Sequence, residues 1–214
     1  MADETVKAWQ KIAKQLRGTL PGEWSVARSG VRTLLVRQPI DWVVVWVGIS
    51  RVRRDDMPGL IGGLTSLAGY FNDVNASHGL STPVGPDSPR TVDLTTPGAL
   101  DEVSSFATAV LDKVADWTPE RLAAEAEEQL AQAPDTRGRP LTFQHASGWR
   151  AILGTADGFE PAKEAAEWFA KALAPEYATW YEDLATAWQS GGRAAALQFL
   201  QDSRTAAIDS LKLR

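Results

Sequence analysis

The pattern of apolar and polar positions is most informative between Trp42 and Ile49, where eight consecutive residues carry no charge. A strand that buries only one face alternates apolar with polar residues, because successive side chains point to opposite faces. This segment does not alternate, and β-branched and indole side chains dominate it. We therefore predict a central strand whose two faces are both covered.

The neighbouring segments predict an α+β fold. Residues 2–17 have the apolar spacing of an amphipathic helix. Three strands are predicted at 23–28, 31–37 and 41–50, and the gaps between them are short enough for hairpin turns. We expect an antiparallel sheet of three to five strands with helices packed on it.

A second helix is predicted over residues 56–78, because Leu60, Leu64 and Leu67 follow helical spacing. Gly62 and Gly69 would lie on nearly the opposite side of that helix, where small residues let a neighbouring backbone or a ligand approach closely. A closed packing contact and a ligand cleft both fit this arrangement, and the sequence leaves the choice open.

The later segments complete the predicted organisation. A short strand at 82–84 or 91–94 and a long helix starting near Pro97 follow the second helix. The expected domains are an α+β domain with α-βββ-α-β-α order at 1–132, a linker or irregular segment at 133–148, and a helical region at 149–214. The paired glycines Gly191 and Gly192 predict an αα-hairpin within that last region.

The order helix, three-strand meander, helix, strand, helix over residues 2–117 resembles that of class I type III secretion chaperones and their small acidic relatives. The resemblance is one of element order, without a shared sequence motif, and residues 118–214 lie outside it. It implies a non-catalytic protein that binds another protein.

Composition narrows the function classes. Of 214 residues, 44% are hydrophobic and 23% charged, which is typical of a globular protein. The net charge of −5 argues against a general nucleic-acid binder, since phosphate neutralisation needs a cationic surface. The absence of cysteine excludes disulfides and thiolate chemistry. No signal peptide pattern and no stretch long enough to cross a membrane is present, so we expect a cytoplasmic protein that does not insert into membranes.

Catalytic motifs are missing from the sequence. The two histidines, His78 and His145, form no metal-binding pair, and His78 is expected at the C-terminal end of the second helix. There is no Gly-x-Ser-x-Gly elbow and no P-loop. We therefore predict no catalytic residue, no metal and no cofactor.

The candidate binding residues fall into two groups. Arg51, Arg53 and Arg54 lie beside the glycine-rich start of the second helix, where backbone N–H groups would favour an anion. Trp24 and Trp149 lie at a strand start and in an irregular segment, and we expect them to be exposed anchors of the kind that dominates protein interfaces.

These observations favour a non-catalytic cytosolic protein-binding module, such as an adaptor, a chaperone-like protein or an inhibitor, that recognises a protein partner through a sheet edge or an apolar groove. The alternative hypothesis is an anion- or nucleotide-binding protein or enzyme that uses the glycine-rich helix start and the three arginines. Weak nucleic-acid binding is the third and least favoured hypothesis. The sequence leaves homodimerisation open.

Overall fold

The computed structural model describes residues 2–29, 32–51, 58–74, 78–81, 92–136 and 141–213. The helices are α1 (Ala2–Leu16), α2 (Ala99–Val114), α3 (Pro119–Leu130), α4 (Ala146–Leu153), α5 (Phe159–Lys171) and α6 (Pro175–Ser210), and Phe143–His145 forms a 3-10 turn. The strands are β1 (Glu23–Ser29), β2 (Arg32–Gln38), β3 (Val43–Arg51), β4 (Pro58–Ser66) and β5 (His78–Ser81).

The chain divides into two compact units. Unit 1 comprises Met1–Thr65, Asp73–Asp116 and Ile208–Arg214, and unit 2 comprises Ser66–Asn72 and Trp117–Ala207. These ranges differ from the domain ranges expected from composition. The expected division into an α+β domain at 1–132, a linker at 133–148 and a helical region at 149–214 stays a prediction.

The sheet of unit 1 confirms the α+β class. Its five antiparallel strands follow one another in the order β1-β2-β3-β4-β5, which makes β3 the central strand as predicted. Leu35 pairs with Val47 and faces the helices, whereas Leu34 and Trp46 lie on the opposite face. All four side chains are buried, so the uncharged segment is covered on both faces.

Helices α1 and α2 close one face of this sheet. The apolar stripe of α1, which includes Trp9, Ile12 and Leu16, meets the inner side of α2 and the side chains of β2 and β3. The indole N–H of Trp9 donates to the Thr33 carbonyl at 2.8 Å, which satisfies the one polar group that the ring takes into the core. The core of unit 1 thus lies between these two helices and the sheet.

The helix predicted over residues 56–78 is wrong, because Pro58–Ser66 is strand β4 and His78–Ser81 is strand β5. The two strands pair antiparallel with Gly63 opposite Gly79. A Cβ on Gly63 would contact the backbone of Gly79 at 2.7 Å, so the glycines are required by the close approach of two strands.

Among the described residues, the first part of the chain then has the order one helix, five strands and one helix. The similarity of element order to the secretion chaperones therefore does not hold, since the helix after the third strand is replaced by a strand. The strand expected at 82–84 lies outside the described residues. Of the alternative at 91–94, Thr91 is also outside them, and Val92–Leu94 is a turn segment.

Unit 2 is mainly helical, and local interactions define where two of its helices begin and bend. Thr118 caps α3, since its hydroxyl accepts the Arg121 N–H at 3.3 Å and Pro119 follows in the first turn. Gly192, with φ 60° and ψ −149°, divides α6 into two arms. The arms lie side by side, because the Trp180 indole N–H donates to the Ser203 hydroxyl at 3.3 Å, 23 residues along the chain.

Replacing the capping residue is a direct test of how α3 begins. We expect Thr118→Ala to lower the free energy of unfolding by about 1 kcal/mol, because the Arg121 N–H loses its side-chain acceptor. Thr118→Ser keeps that acceptor and should unfold like the parent chain. Urea denaturation followed by circular dichroism measures both changes, and equal stability of all three chains would contradict the assignment.

No helix among the described residues is long and apolar enough to cross a membrane.

Candidate functional site

Both tryptophans expected at the surface are buried. Trp24 is 6% exposed, and its indole N–H donates to the Pro21 carbonyl at 3.0 Å. Trp149 is 1% exposed and lies within α4, where an irregular segment had been expected. The expectation of exposure is therefore wrong for both tryptophans, and their side chains pack in the cores of their units.

Gly62 and Gly69 lie in closed packing contacts. A Cβ on Gly62 would lie 2.8 Å from the Trp46 carbonyl oxygen. A Cβ on Gly69 would lie 2.6 Å from the Tyr181 hydroxyl and 2.9 Å from Nε2 of His145. Neither position leaves room for a ligand, so the closed alternative holds for both glycines.

The helix start proposed to hold an anion does not exist, because Pro58–Ser66 is a strand. Backbone N–H groups of a strand are used in sheet pairing and do not converge as they do at a helix N-terminus. Arg51 is the last residue of β3, and Arg53 and Arg54 lie outside the described residues. The helix-start part of the hypothesis is therefore wrong, and a binding role for these arginines stays a prediction.

The histidines are placed differently from expectation. His78 is a buried residue at the start of β5, and the helix end expected there is absent. His145 ends the 3-10 turn before α4. Within the described ranges, no group of three or more metal-ligating side chains comes together.

A cleft of 410 Å³ in unit 2 is a candidate that the sequence analysis did not identify. Its walls come from the segment before the 3-10 turn, from α5 and from the start of α6. The residues that line it are Leu141, Gln144, Trp168, Phe169, Ala172, Ala174 and Tyr177. None of these seven side chains is charged, and three are aromatic.

Ring contacts hold the aromatic walls in place. Phe169 lies 4.8 Å from Tyr177 and 4.9 Å from Trp168, measured between ring centroids. The far side of Phe169 stacks on the buried Tyr181 at 5.6 Å with an interplanar angle of 2°. Trp168 also meets the edge of Phe143 at 5.8 Å. The rings are therefore ordered before any ligand binds, which reduces the entropy that binding would cost.

Gln144 contributes an amide side chain to this otherwise largely apolar lining. Its Oε1 is buried and accepts no hydrogen bond from any part of the chain that the structure describes. A buried acceptor without a hydrogen bond lowers the stability of the folded chain by about 1–3 kcal/mol relative to a bonded one. Gln144 lines the cleft, so a turn of its amide that presents Oε1 to a bound donor would remove this cost.

The tyrosines near the cleft stay protonated at neutral pH. Burial raises the pKa of Tyr181, whose hydroxyl accepts the Tyr70 N–H at 3.3 Å. Burial and the neighbouring Glu176 carboxylate also raise the pKa of Tyr70, whose hydroxyl donates to Glu176 Oε2 at 3.3 Å. Neither group supplies a phenolate, so this part of the molecule is suited to hydrogen bonding and packing.

Leu173 stands at the corner between α5 and α6, between the cleft residues Ala172 and Ala174. Its side chain is 89% exposed, the highest value among the large apolar side chains described, and its φ is 57°. The Ala174 N–H donates to the Phe169 carbonyl at 3.0 Å, which defines the helix ending that favours glycine at position 173. A leucine costs about 1 kcal/mol in that conformation, and here it exposes apolar surface as well.

One sequence signal for the cleft was available. Trp168 and Phe169 are adjacent in a helix, so their side chains point about 100° apart and cannot both belong to one buried stripe. Phe169 is the buried one, and Trp168 is partly exposed at the cleft. No comparable signal identifies Gln144 or Leu173, whose settings depend on how the helices meet.

Comparison with known proteins adds no relative. No protein family model matches this chain, and no curated protein or solved structure matches it.

Proposed function

We propose that this chain is a non-catalytic protein-binding module, acting as an adaptor, a chaperone-like protein or an inhibitor, and that the aromatic cleft of unit 2 accepts a short segment of its partner. The observation that carries the proposal is the buried, unpaired Oε1 of Gln144 beside three ordered aromatic rings. A cytosolic setting is part of the same proposal.

The chemistry of the cleft supports recognition over catalysis. Among the described residues, its lining contains no charged side chain, no hydroxyl of a serine or threonine, and no imidazole. General acid–base catalysis needs a group that exchanges protons near the working pH. Tyr177, which also lines the cleft, is a phenol and offers neither a carboxylate nor an imidazole.

The residue types of the cleft support a protein partner. Tryptophan and tyrosine are enriched among residues that dominate binding energy at protein interfaces. An extended peptide presents main-chain N–H groups at regular intervals, and one of them would satisfy Gln144 Oε1 once the amide turns that atom toward the cleft. A small apolar molecule would fill the volume and leave that acceptor unpaired.

A random peptide library displayed on phage tests this proposal. We expect the chain to enrich binders from a library of peptides about twelve residues long. Trp168→Ala should weaken each enriched peptide at least about tenfold, which corresponds to about 1.4 kcal/mol, because it removes one aromatic wall. Fluorescence anisotropy with labelled peptides gives the dissociation constants.

The matched control is Trp117→Ala, since Trp117 is a partly exposed tryptophan of unit 2 that does not line the cleft. Circular dichroism should show that both variants fold, and the control should bind like the parent chain. A library that yields no binder, or binders unaffected by Trp168→Ala, would overturn the proposal.

A further inference from the structure

Acidic residues outnumber basic residues in the part of the chain that supplies most of the cleft. Between residues 159 and 183, which supply five of the seven lining residues, there are six acidic side chains against Lys163 and Lys171. Unit 2 as a whole contains thirteen acidic and eight basic residues, which accounts for the entire net charge of −5. A partner that approaches this unit therefore meets a net negative charge.

Leu173 adds an apolar group at the rim of that cleft. A second residue of the chain shows that this left-handed backbone conformation does not require a leucine. Lys212 has the same left-handed conformation, with φ 52°, at the end of α6, where the Leu213 N–H donates to the Ile208 carbonyl at 3.1 Å. There a solvated polar side chain occupies the position. At Leu173 the same kind of helix ending carries an exposed leucine beside aromatic walls.

We infer that the occupant of the cleft is a cationic amphipathic segment of a partner protein, held by three contacts. A large apolar side chain enters between Trp168 and Tyr177 and packs against Leu173. A main-chain N–H of the segment donates to Gln144 Oε1. Lysine or arginine residues that flank the apolar side chain face the acidic side chains of α5 and α6. This inference rests on the proposed function and names the chemistry of its partner.

A second copy of the chain is disfavoured as the occupant. Leu173 of one copy would fit an apolar cleft in another by shape. However, each copy of unit 2 has an excess of five negative charges, and like charges brought together across an interface cost several kcal/mol. A basic partner is attracted to the negative charge of unit 2 instead of being repelled by it, and this attraction increases the association rate.

The composition of the enriched peptides and two matched variants test the inference. We expect the enriched peptides to carry a net positive charge, and their affinity to fall at least about tenfold between about 50 mM and about 500 mM salt. Leu173→Gly should weaken them at least about tenfold while raising the melting temperature, since glycine suits the backbone there. Lys212→Gly removes the same backbone strain away from the cleft, so it should raise the melting temperature and leave the affinity unchanged.

Several outcomes would overturn the inference and leave the proposed function standing. One is a set of peptides that lose affinity with Trp168→Ala yet are neutral or acidic. Another is unchanged binding by Leu173→Gly. A dimer seen by light scattering that Leu173→Gly dissociates would assign the cleft to a second copy. Failure to enrich any peptide would remove the proposed function and this inference together.

Discussion

Trp46→Ala is expected to lower the free energy of unfolding by about 4 kcal/mol. The Trp46 side chain is 2% exposed on the central strand, and alanine leaves most of its volume as a cavity among well-packed neighbours. The change also deletes the hydrogen bond from the indole N–H to the Thr65 hydroxyl, 3.1 Å long. Urea denaturation followed by circular dichroism measures the loss.

A double-mutant cycle separates the hydrogen bond from the packing. Trp46→Phe and Thr65→Val each remove one partner of the pair, and the two together remove both. We expect a coupling energy of about 1 kcal/mol between them. A Trp46→Ala chain that unfolds at the urea concentration of the parent would show that the strand is not the centre of the sheet.

Gly148→Ala is expected to lower the free energy of unfolding by about 3 kcal/mol. A Cβ at this position of α4 would overlap the carbonyl oxygen of Ala68 and lie 2.7 Å from its carbonyl carbon. These are backbone atoms, so a rotamer change cannot relieve the overlap, and the helix or the Ser66–Asn72 segment has to shift. Denaturation in urea, read by circular dichroism, gives the change in stability.

The control for this substitution is Gly98→Ala, where a Cβ would meet nothing within 4 Å. It should change stability by no more than about 0.5 kcal/mol. Hydrogen exchange with mass spectrometry adds a spatial readout, since Gly148→Ala should reduce protection in unit 2 most strongly and Trp46→Ala in unit 1. Equal stability of the Gly148→Ala and Gly98→Ala chains would contradict the contact.

The first half of the sheet is predictable from sequence because its signals are local and agree with one another. The uncharged segment around Trp46 excludes a half-exposed strand, and Gln38-Pro39 marks one of the two turns around β2. Strand bounds fall within two residues of the prediction. The amphipathic pattern of α1 is equally clear, because a single face carries Trp9, Ile12 and Leu16.

The apolar spacing of strand β4 suits a helix as well as a strand, so the pattern predicts the wrong structure there. Leu60 and Leu64 are four residues apart, which places them on one face of a helix and also on one face of a strand. The decisive signal was the pair Gly62-Gly63, since glycine weakens a helix and permits the close approach that the backbone of β5 requires. That requirement depends on a partner strand about 15 residues away, which a local pattern does not include.

The burial of Trp149 and the cleft around Trp168 depend on tertiary packing. Trp149 was expected at the surface because glycine and polar residues precede it, yet Gly148 is what lets α4 approach Ala68 closely enough to bury the ring. The cleft combines residues from 141 to 177, and its unpaired acceptor, Gln144, has an ordinary sequence environment. Recognition without catalysis stays a prediction from composition, and the place proposed for it depends on how the helices of unit 2 meet.

The return of the chain to unit 1 at its C-terminal segment has a consequence for biosynthesis. The Leu213 carbonyl accepts hydrogen bonds from Gln38 Nε2 at 3.0 Å and from the Ser25 hydroxyl at 3.4 Å, and the Leu213 side chain is fully buried. A ribosome delivers residues 117–207 before it delivers this segment. Unit 1 therefore completes its fold only after the residues of unit 2 have left the ribosome. The two units cannot finish folding one after the other in the order of their synthesis.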